Sequence, residues 1–139
     1  MNFVPLTAAH CMGLGPLASI HTGMDITPEM AERLEELGGV AAVEGDTVIG
    51  IGGLMERWEG VAQAWVWLTR DWKRYARAIT HEVARNLIKA DYPRIEAAVL
   101  HEYKQGHAWM QRLGFEVETP CARKWGADGR DYTIYVRIT

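Results

Sequence analysis

Residues 61–100 place a long amphipathic segment between two apolar ones, and this order limits the folds open to the chain. Residues 61–68 are apolar except for Gln63 and lack polar alternation, which predicts a central strand covered on both faces. Residues 74–90 then predict a helix, and residues 95–100 predict a second buried strand. A strand, a helix and a strand of these lengths form a right-handed βαβ unit with parallel strands. The segment therefore predicts a mixed α/β fold.

Weaker signals complete the order of elements. Thr27 is placed as a helix N-cap, with Pro28 in the first turn, and two glycines after Leu37 end that helix. Further strands are predicted at 2–6, 40–43, 47–54, 115–119 and 132–138, a short or broken helix at 7–17 and another helix at 106–113. The order is β-α-α-β-β-β-α-β-α-β-β, in one domain over residues 1–139.

Composition excludes several other classes of protein. The chain has 139 residues, 48% of them hydrophobic and 24% charged, enough for one core without disulfides. Its net charge of -3 gives no general attraction to nucleic acid or to an anionic membrane. Cys11 and Cys121 are far apart and show no ligand spacing, so we expect free thiols and no metal. With no apolar run of membrane-spanning length, we expect a cytoplasmic protein without a membrane partner.

The six tryptophans are unevenly placed, because four of them lie between residues 58 and 72. Trp65 and Trp67 are two residues apart on a predicted strand, so both are expected on one sheet face. Trp58 and Trp72 are predicted in loops beside charged residues, and exposed aromatics beside arginine are typical of protein-interaction surfaces. We therefore assign these two as interaction candidates.

The element order and the segment Gln111-Arg112-Leu113-Gly114-Phe115 resemble the GNAT family of acetyl-CoA-dependent N-acetyltransferases. Within residues 61–138 the chain is also similar to small GNAT-like proteins of tailed phages, described as internal virion or head-assembly proteins. The shared features are Trp67-Leu68-Thr69-x-Asp71, a tryptophan before Leu-Gly-Phe, and Asp128-Gly129-Arg130 followed by aromatic residues.

The resemblance implies a site for acetyl-CoA or CoA, whose pyrophosphate needs backbone N–H groups at a helix N-terminus. The family's Gln/Arg-x-x-Gly-x-Gly/Ala segment corresponds here to Lys73-x-x-Ala76-x-Ala78, without glycine. The cofactor-binding candidates are Leu68, Thr69, Lys73, Arg74, Ala76, Arg77 and Ala78. Lys73, Arg74 and Arg77 also fit two other interpretations, which are the solvated first turn of a helix and a contact with a protein or a nucleic acid.

The catalytic groups that the resemblance implies are incomplete. The family's tyrosine proton donor corresponds to Met110, which has no proton to donate. Tyr103 can replace the missing proton donor only if the fold brings its hydroxyl to the cofactor. Glu56 and Glu59, in a predicted loop, are the candidate general bases. Whether the chain is an enzyme stays open at this point.

Two classes of function follow. The favoured one is a phage-type GNAT-fold protein that acts in virion assembly or protein interaction, with degenerate catalytic motifs. Its partner would be a phage structural protein or a host protein, in the host cytoplasm or the virion. The alternatives are an active acetyl-CoA-dependent N-acetyltransferase of a small-molecule or protein amine, and a phage inhibitor of a host protein. The oligomeric state is left open, and nucleic acid is not the favoured partner.

Overall fold

A computed structural model describes residues 1–18 and 25–139. Its elements, in chain order, are β1 (Asn2–Pro5), α1 (Ala8–Met12), α2 (Pro28–Glu36), β2 (Val40–Glu44), β3 (Thr47–Trp58), β4 (Val61–Leu68), α3 (Ala76–Ala90), β5 (Arg94–Leu100), α4 (Lys104–Arg112), β6 (Glu116–Ala122) and β7 (Tyr132–Ile138). A 3-10 helix, Arg70–Tyr75, directly precedes α3. This order of strands and α-helices is the predicted one, and the mixed α/β class is confirmed.

The seven strands form one mixed sheet in the order β1-β2-β3-β4-β5-β7-β6. Strands β4 and β5 are parallel, with Ala62 opposite Ile95, which confirms the predicted βαβ unit. β7 pairs antiparallel with both β5 and β6. The two strands predicted at the end of the chain are therefore neighbours, and β7 lies between β5 and β6.

The chain divides into two compact units, each described by itself below. The first comprises residues 1–55 and 65–79, and the second comprises residues 56–64 and 80–139. Strands β3 and β4 contribute residues to both units. A single domain over residues 1–139 stays a prediction.

The core of the first unit is built around the two tryptophans of β4. Trp67 is buried in a cluster with Leu6, Val48 and Ile51, and Trp65 packs against that cluster. The ring centroids of the two tryptophans are 5.8 Å apart in an edge-to-face arrangement. The prediction that they share one sheet face for packing is therefore confirmed.

In the second unit, the two sides of the sheet differ in exposure. Ile95, Ala97 and Tyr135 are buried, and Ala97 lies directly opposite Tyr135 in the β5–β7 pair. The alternate residues Arg94 and Glu96 are only partly buried and pair with each other. One side of β5 therefore carries the apolar core of this unit, and the other side carries ion pairs.

Three sequence predictions need correction. Strand β3 continues to Trp58 rather than ending at residue 54, because a two-residue turn at 59–60 joins it directly to β4. The predicted helix 74–90 begins at Ala76 and follows a 3-10 helix. The helix predicted at 106–113 begins earlier, at Lys104, and ends at Arg112. Within the described residues, no helix is long and apolar enough to cross a membrane.

Candidate functional site

The cofactor-binding candidates all lie in the first unit, where β4 ends and the 3-10 helix begins. Leu68 is the last residue of β4 and is buried, and Thr69 is only 4% exposed. The hydroxyl of Thr69 donates to the carbonyl oxygen of Ile49 at 2.7 Å, and its backbone N–H donates to the same oxygen at 3.0 Å. Both residues are therefore part of the core rather than of an open surface.

Three backbone N–H groups near the expected phosphate cradle are bonded within the protein. The N–H of Arg70 donates to Pro16 at 3.0 Å, and that of Trp72 donates to Thr69 at 3.1 Å. The N–H of Ala76 donates to Lys73, where the 3-10 helix runs directly into α3. Because a 3-10 helix bonds each N–H to the carbonyl three residues earlier, residues 70–90 form one continuous helical run.

These bonds bear on the pyrophosphate of acetyl-CoA, because a cradle depends on N–H groups left free at a helix N-terminus. Ala76 is the first residue of α3, and its N–H is already bonded to Lys73. Alanine also lacks the freedom at positive φ that allows glycine to open such a turn. At least one donor of the expected cradle is therefore engaged within the protein.

The placement of Trp72 in an exposed loop was wrong. Trp72 lies in the 3-10 helix and is 6% exposed, and Ile79, seven residues later, is buried as well. These two residues define the inward side of the helical run. Lys73, Arg74 and Arg77 are exposed, so the basic candidates lie on its outward side.

Trp58 and the two acidic candidates lie in the second unit, around the β3–β4 turn. Glu56 is in strand β3 rather than in a loop, and Glu59 is in the turn; both are exposed. Trp58 is also in β3, rather than in a loop, and is 62% exposed. The guanidinium of Arg57 lies 5.7 Å from the centre of the Trp58 ring, within the range of a cation–π contact.

The proton-donor candidate Tyr103 occupies the N-cap position of α4 and is partly buried. A side chain at Gly106 would come within 2.7 Å of the Tyr103 ring and 2.6 Å of Val99, so the ring fills the space next to the helix backbone. Met110 is buried in α4, 7% exposed. A thioether buried at this position packs in the core and supplies no proton.

A second polar cluster joins α4 to β7 and contains His101, His107 and Tyr135. Nε2 of His107 lies 2.8 Å from the carbonyl oxygen of His101, so Nε2 carries the hydrogen. Nδ1 of His107 is then the acceptor for the hydroxyl of Tyr135, at 2.7 Å. Burial raises the pKa of Tyr135 above its ordinary value. Since Tyr135 is only 1% exposed, this cluster orders the core.

Ion pairs connect β6, β5 and β3 within the second unit. Arg94 donates to both carboxylate oxygens of Glu118, at 3.0 and 2.5 Å, and to Glu96 at 3.2 Å. Glu96 in turn accepts from Arg57 at 3.5 Å. The hydrogen bonds from Arg94 hold the pKa of Glu118 below its ordinary value. The alternating charges run from Glu118 through Arg94 and Glu96 to Arg57, the neighbour of Trp58 in the chain.

Comparisons with known proteins find solved structures that share this fold. No protein-family model matches the chain, and no curated protein sequence matches it. The solved structure of Ard1 from Thermoplasma volcanium matches with a TM-score of 0.81, 10% identity and coverage of 99% of this chain and 97% of that one.

Two further solved structures are named as acetyltransferases. The ribosomal-protein-S18-alanine N-acetyltransferase from Escherichia coli matches with a TM-score of 0.73 and 15% identity, over 99% of this chain and 92% of that one. A GNAT superfamily phosphinothricin acetyltransferase from Sinorhizobium meliloti, in complex with AcCoA, has a TM-score of 0.73 and 17% identity, over 99% and 87%. The chain therefore has the GNAT fold, which is an acyl-CoA N-acyltransferase-like fold.

Proposed function

We propose that this protein uses the GNAT fold mainly for protein–protein interaction, in the manner of the internal virion or assembly proteins of tailed phages. One observation carries the proposal. At the start of the helical run over residues 70–90, the N–H groups of Arg70, Trp72 and Ala76 are bonded to other backbone carbonyls. This is the place where an acetyltransferase of this fold would hold its cofactor. A fold does not bring its usual activity when the site is altered.

The second support comes from the expected catalytic groups. Met110 stands where a proton donor is needed and is buried. Glu56 and Glu59 are exposed carboxylates at a hairpin turn, and Tyr103 packs beside Gly106. Neither carboxylate is buried in a low-dielectric site of the kind in which enzymes commonly place a general base.

The third support is the role of the motif residues that resemble phage proteins. Thr69 bonds to Ile49, the indole N–H of Trp109 donates to Thr80 at 2.8 Å, and Asp128 accepts from Arg130 at 2.9 Å and from Tyr132 at 3.2 Å. Each of these contacts fixes a turn or packs a helix. These motif residues therefore stabilise the fold and supply no catalytic group, which is what we expect of a protein that acts through binding.

The partner in this proposal is a phage structural protein or a host protein, met in the host cytoplasm or in the virion. The exposed Trp58 is the interaction residue, since a large aromatic held beside an arginine supplies much contact area at small entropic cost. Trp72 has no part in it, because its ring is buried.

An active acetyltransferase is the second candidate, and two observations favour it. The fold is that of acetyltransferases, one of them described in complex with AcCoA, and Lys73, Arg74 and Arg77 are exposed cations beside the expected site. For these cations to hold a phosphate together with the N–H groups of Arg70, Trp72 and Ala76, the hydrogen bonds of those groups would have to break.

Calorimetric titration with acetyl-CoA separates the two functions, using the Sinorhizobium meliloti enzyme as the positive control. We expect no heat of binding and no shift in the thermal unfolding midpoint for this protein. Micromolar binding that is lost in Ala76→Glu, and also in the exposed-site variant Ala78→Glu, would overturn the proposal. Circular dichroism of both variants verifies that they remain folded.

A further inference from the structure

The helical run over residues 70–90 carries a dense group of positive charges at its beginning. Arg70, Lys73, Arg74 and Arg77 are all exposed, and we call these four residues the basic stripe. Within the described residues, none of the four forms an ion pair. Four of the 15 Lys and Arg residues and one of the 18 Asp and Glu residues lie in 70–77, so the remaining chain carries 11 cations against 17 anions.

The geometry of the helix places these cations together. Residues three apart are aligned along a 3-10 helix, so Arg70 lies in line with Lys73, and Asp71 lies in line with Arg74. Arg77 follows in the first turn of α3. Trp72 and Ile79 occupy the inward side and are buried. The guanidinium of Arg74 lies 5.8 Å from the centre of the Tyr75 ring, which restricts its orientation before any partner binds.

Positive charge at this end of a helix is unfavourable by itself. The helix dipole places partial positive charge at the N-terminus, so cations there are destabilising and anions stabilising. An acidic partner would remove this penalty and neutralise the four side chains. The stripe is therefore better suited to a complex than to the free protein.

The length of the basic stripe indicates which kind of anionic partner has matching dimensions. Four side chains spread over about 13 Å of helix are too far apart for one phosphate group, and the nearby backbone N–H groups of Arg70 and Trp72 are already bonded. A helix with glutamates at i, i+3, i+4 and i+7 presents its charges over about 10 Å. A nucleic acid would extend beyond the stripe onto a chain whose remaining charge is negative.

We propose that the basic stripe is a docking surface for an acidic helical segment of a partner protein. This inference rests on the proposed interaction function and specifies the chemistry of its partner. It assigns the exposed cations a role other than cofactor binding and adds Arg70, which the sequence pattern did not single out.

The test uses a fluorescein-labelled helical peptide with glutamates at i, i+3, i+4 and i+7, followed by fluorescence anisotropy. The triple variant Lys73→Glu, Arg74→Glu, Arg77→Glu is expected to bind at least about tenfold more weakly than the unchanged protein. A matched triple variant, Arg33→Glu, Lys89→Glu, Arg112→Glu, makes the same charge change at exposed positions and is expected to bind within about twofold. The same peptide with glutamine in place of glutamate serves as the ligand control.

Three results would overturn the inference. The first is equal binding of the glutamate and glutamine peptides, or of the stripe variant and the unchanged protein. The second is tighter binding of a 20-base-pair DNA duplex than of the peptide, lost in the stripe variant, which would make the stripe a nucleic-acid interface. The third is displacement of the peptide by coenzyme A, which would also overturn the proposed function. Failure of the peptide to bind the unchanged protein would overturn the inference as well. If calorimetry also shows no binding of coenzyme A, the proposed function would still stand.

Discussion

At the scale of single residues, the hydroxyl of Thr69 shows how a site candidate becomes a structural residue. Its position just after a buried strand suited contact with a cofactor, but it is 4% exposed and bonded to Ile49 on β3. A buried hydroxyl with a satisfied bond contributes to stability. The sequence shows the threonine and its position, whereas its partner lies 20 residues away.

Thr69→Val removes this hydroxyl while keeping the shape of the side chain. We expect a loss of about 1 kcal/mol in the free energy of unfolding, because a buried hydrogen bond is lost. Urea denaturation measures the change, and the exposed Thr47→Val serves as the control. Equal stability of the two variants would contradict the assigned bond.

Glycines next to Trp65 form a second residue-scale feature. A β-carbon at Gly53 would lie 2.7 Å from Cζ2 of Trp65, and one at Gly39 would lie 3.0 Å from the same ring. The indole therefore occupies space that only glycine leaves open. This explains how a large aromatic is accommodated on β4 without a deep pocket on its partner strand.

Gly53→Ala is expected to destabilise the protein by about 1–3 kcal/mol, because the added methyl group overpacks the space next to Trp65. Gly15→Ala is the control, since a β-carbon there meets nothing within 4 Å. Thermal and urea unfolding of both variants would test this expectation. A neutral Gly53→Ala would mean that the ring moves aside freely.

At the scale of elements, the 3-10 helix before α3 has the largest consequence. The expected start at Arg74 came from helical periodicity, which does not separate a 3-10 turn from the first turn of an α-helix. In both types the first N–H groups lack a partner within the helix. Because the 3-10 helix comes first here, the N–H of Ala76 at the start of α3 donates to Lys73.

Ala78→Gly tests the continuity of this helical run. In a helix interior the change costs about 1 kcal/mol, so we expect a loss similar to that of Ala84→Gly in the middle of α3. Ala127→Gly, at an exposed position outside the helices and strands, is expected to have little effect. If Ala78→Gly is as neutral as Ala127→Gly, residue 78 lies at a free helix end and a cofactor cradle becomes tenable.

At the scale of the whole molecule, the ion pairs on the open side of β5 make folding sensitive to acid. The pKa of Glu118 is lowered from its ordinary 4.5 by its hydrogen bonds with Arg94, and the pKa of Asp128 is lowered from 3.8 by its bonds with Arg130. A lowered pKa in the folded state gives stability above the unfolded value, and that stability is lost as the pH falls through the folded value.

Glu118→Gln should therefore reduce the acid sensitivity of the protein. We expect the fall in the urea midpoint between pH 6 and pH 3 to be smaller in this variant, because one carboxylate no longer gains a proton on unfolding. Glu116→Gln, on the same exposed strand, is the control and should retain the full dependence. An unchanged acid dependence in Glu118→Gln would show that this pair has no energetic role.

The sequence by itself determined the order of elements, the parallel βαβ unit and the shared face of Trp65 and Trp67. These features follow from local periodicity, capping and strand alternation, which operate between residues close together in the chain. Tertiary structure decided that Trp72 is buried, that Thr69 bonds to Ile49 and that the helical run begins at Arg70. Burial and hydrogen-bond partners are set by residues distant in sequence, so only the folded chain distinguishes an open cofactor cradle from a closed one.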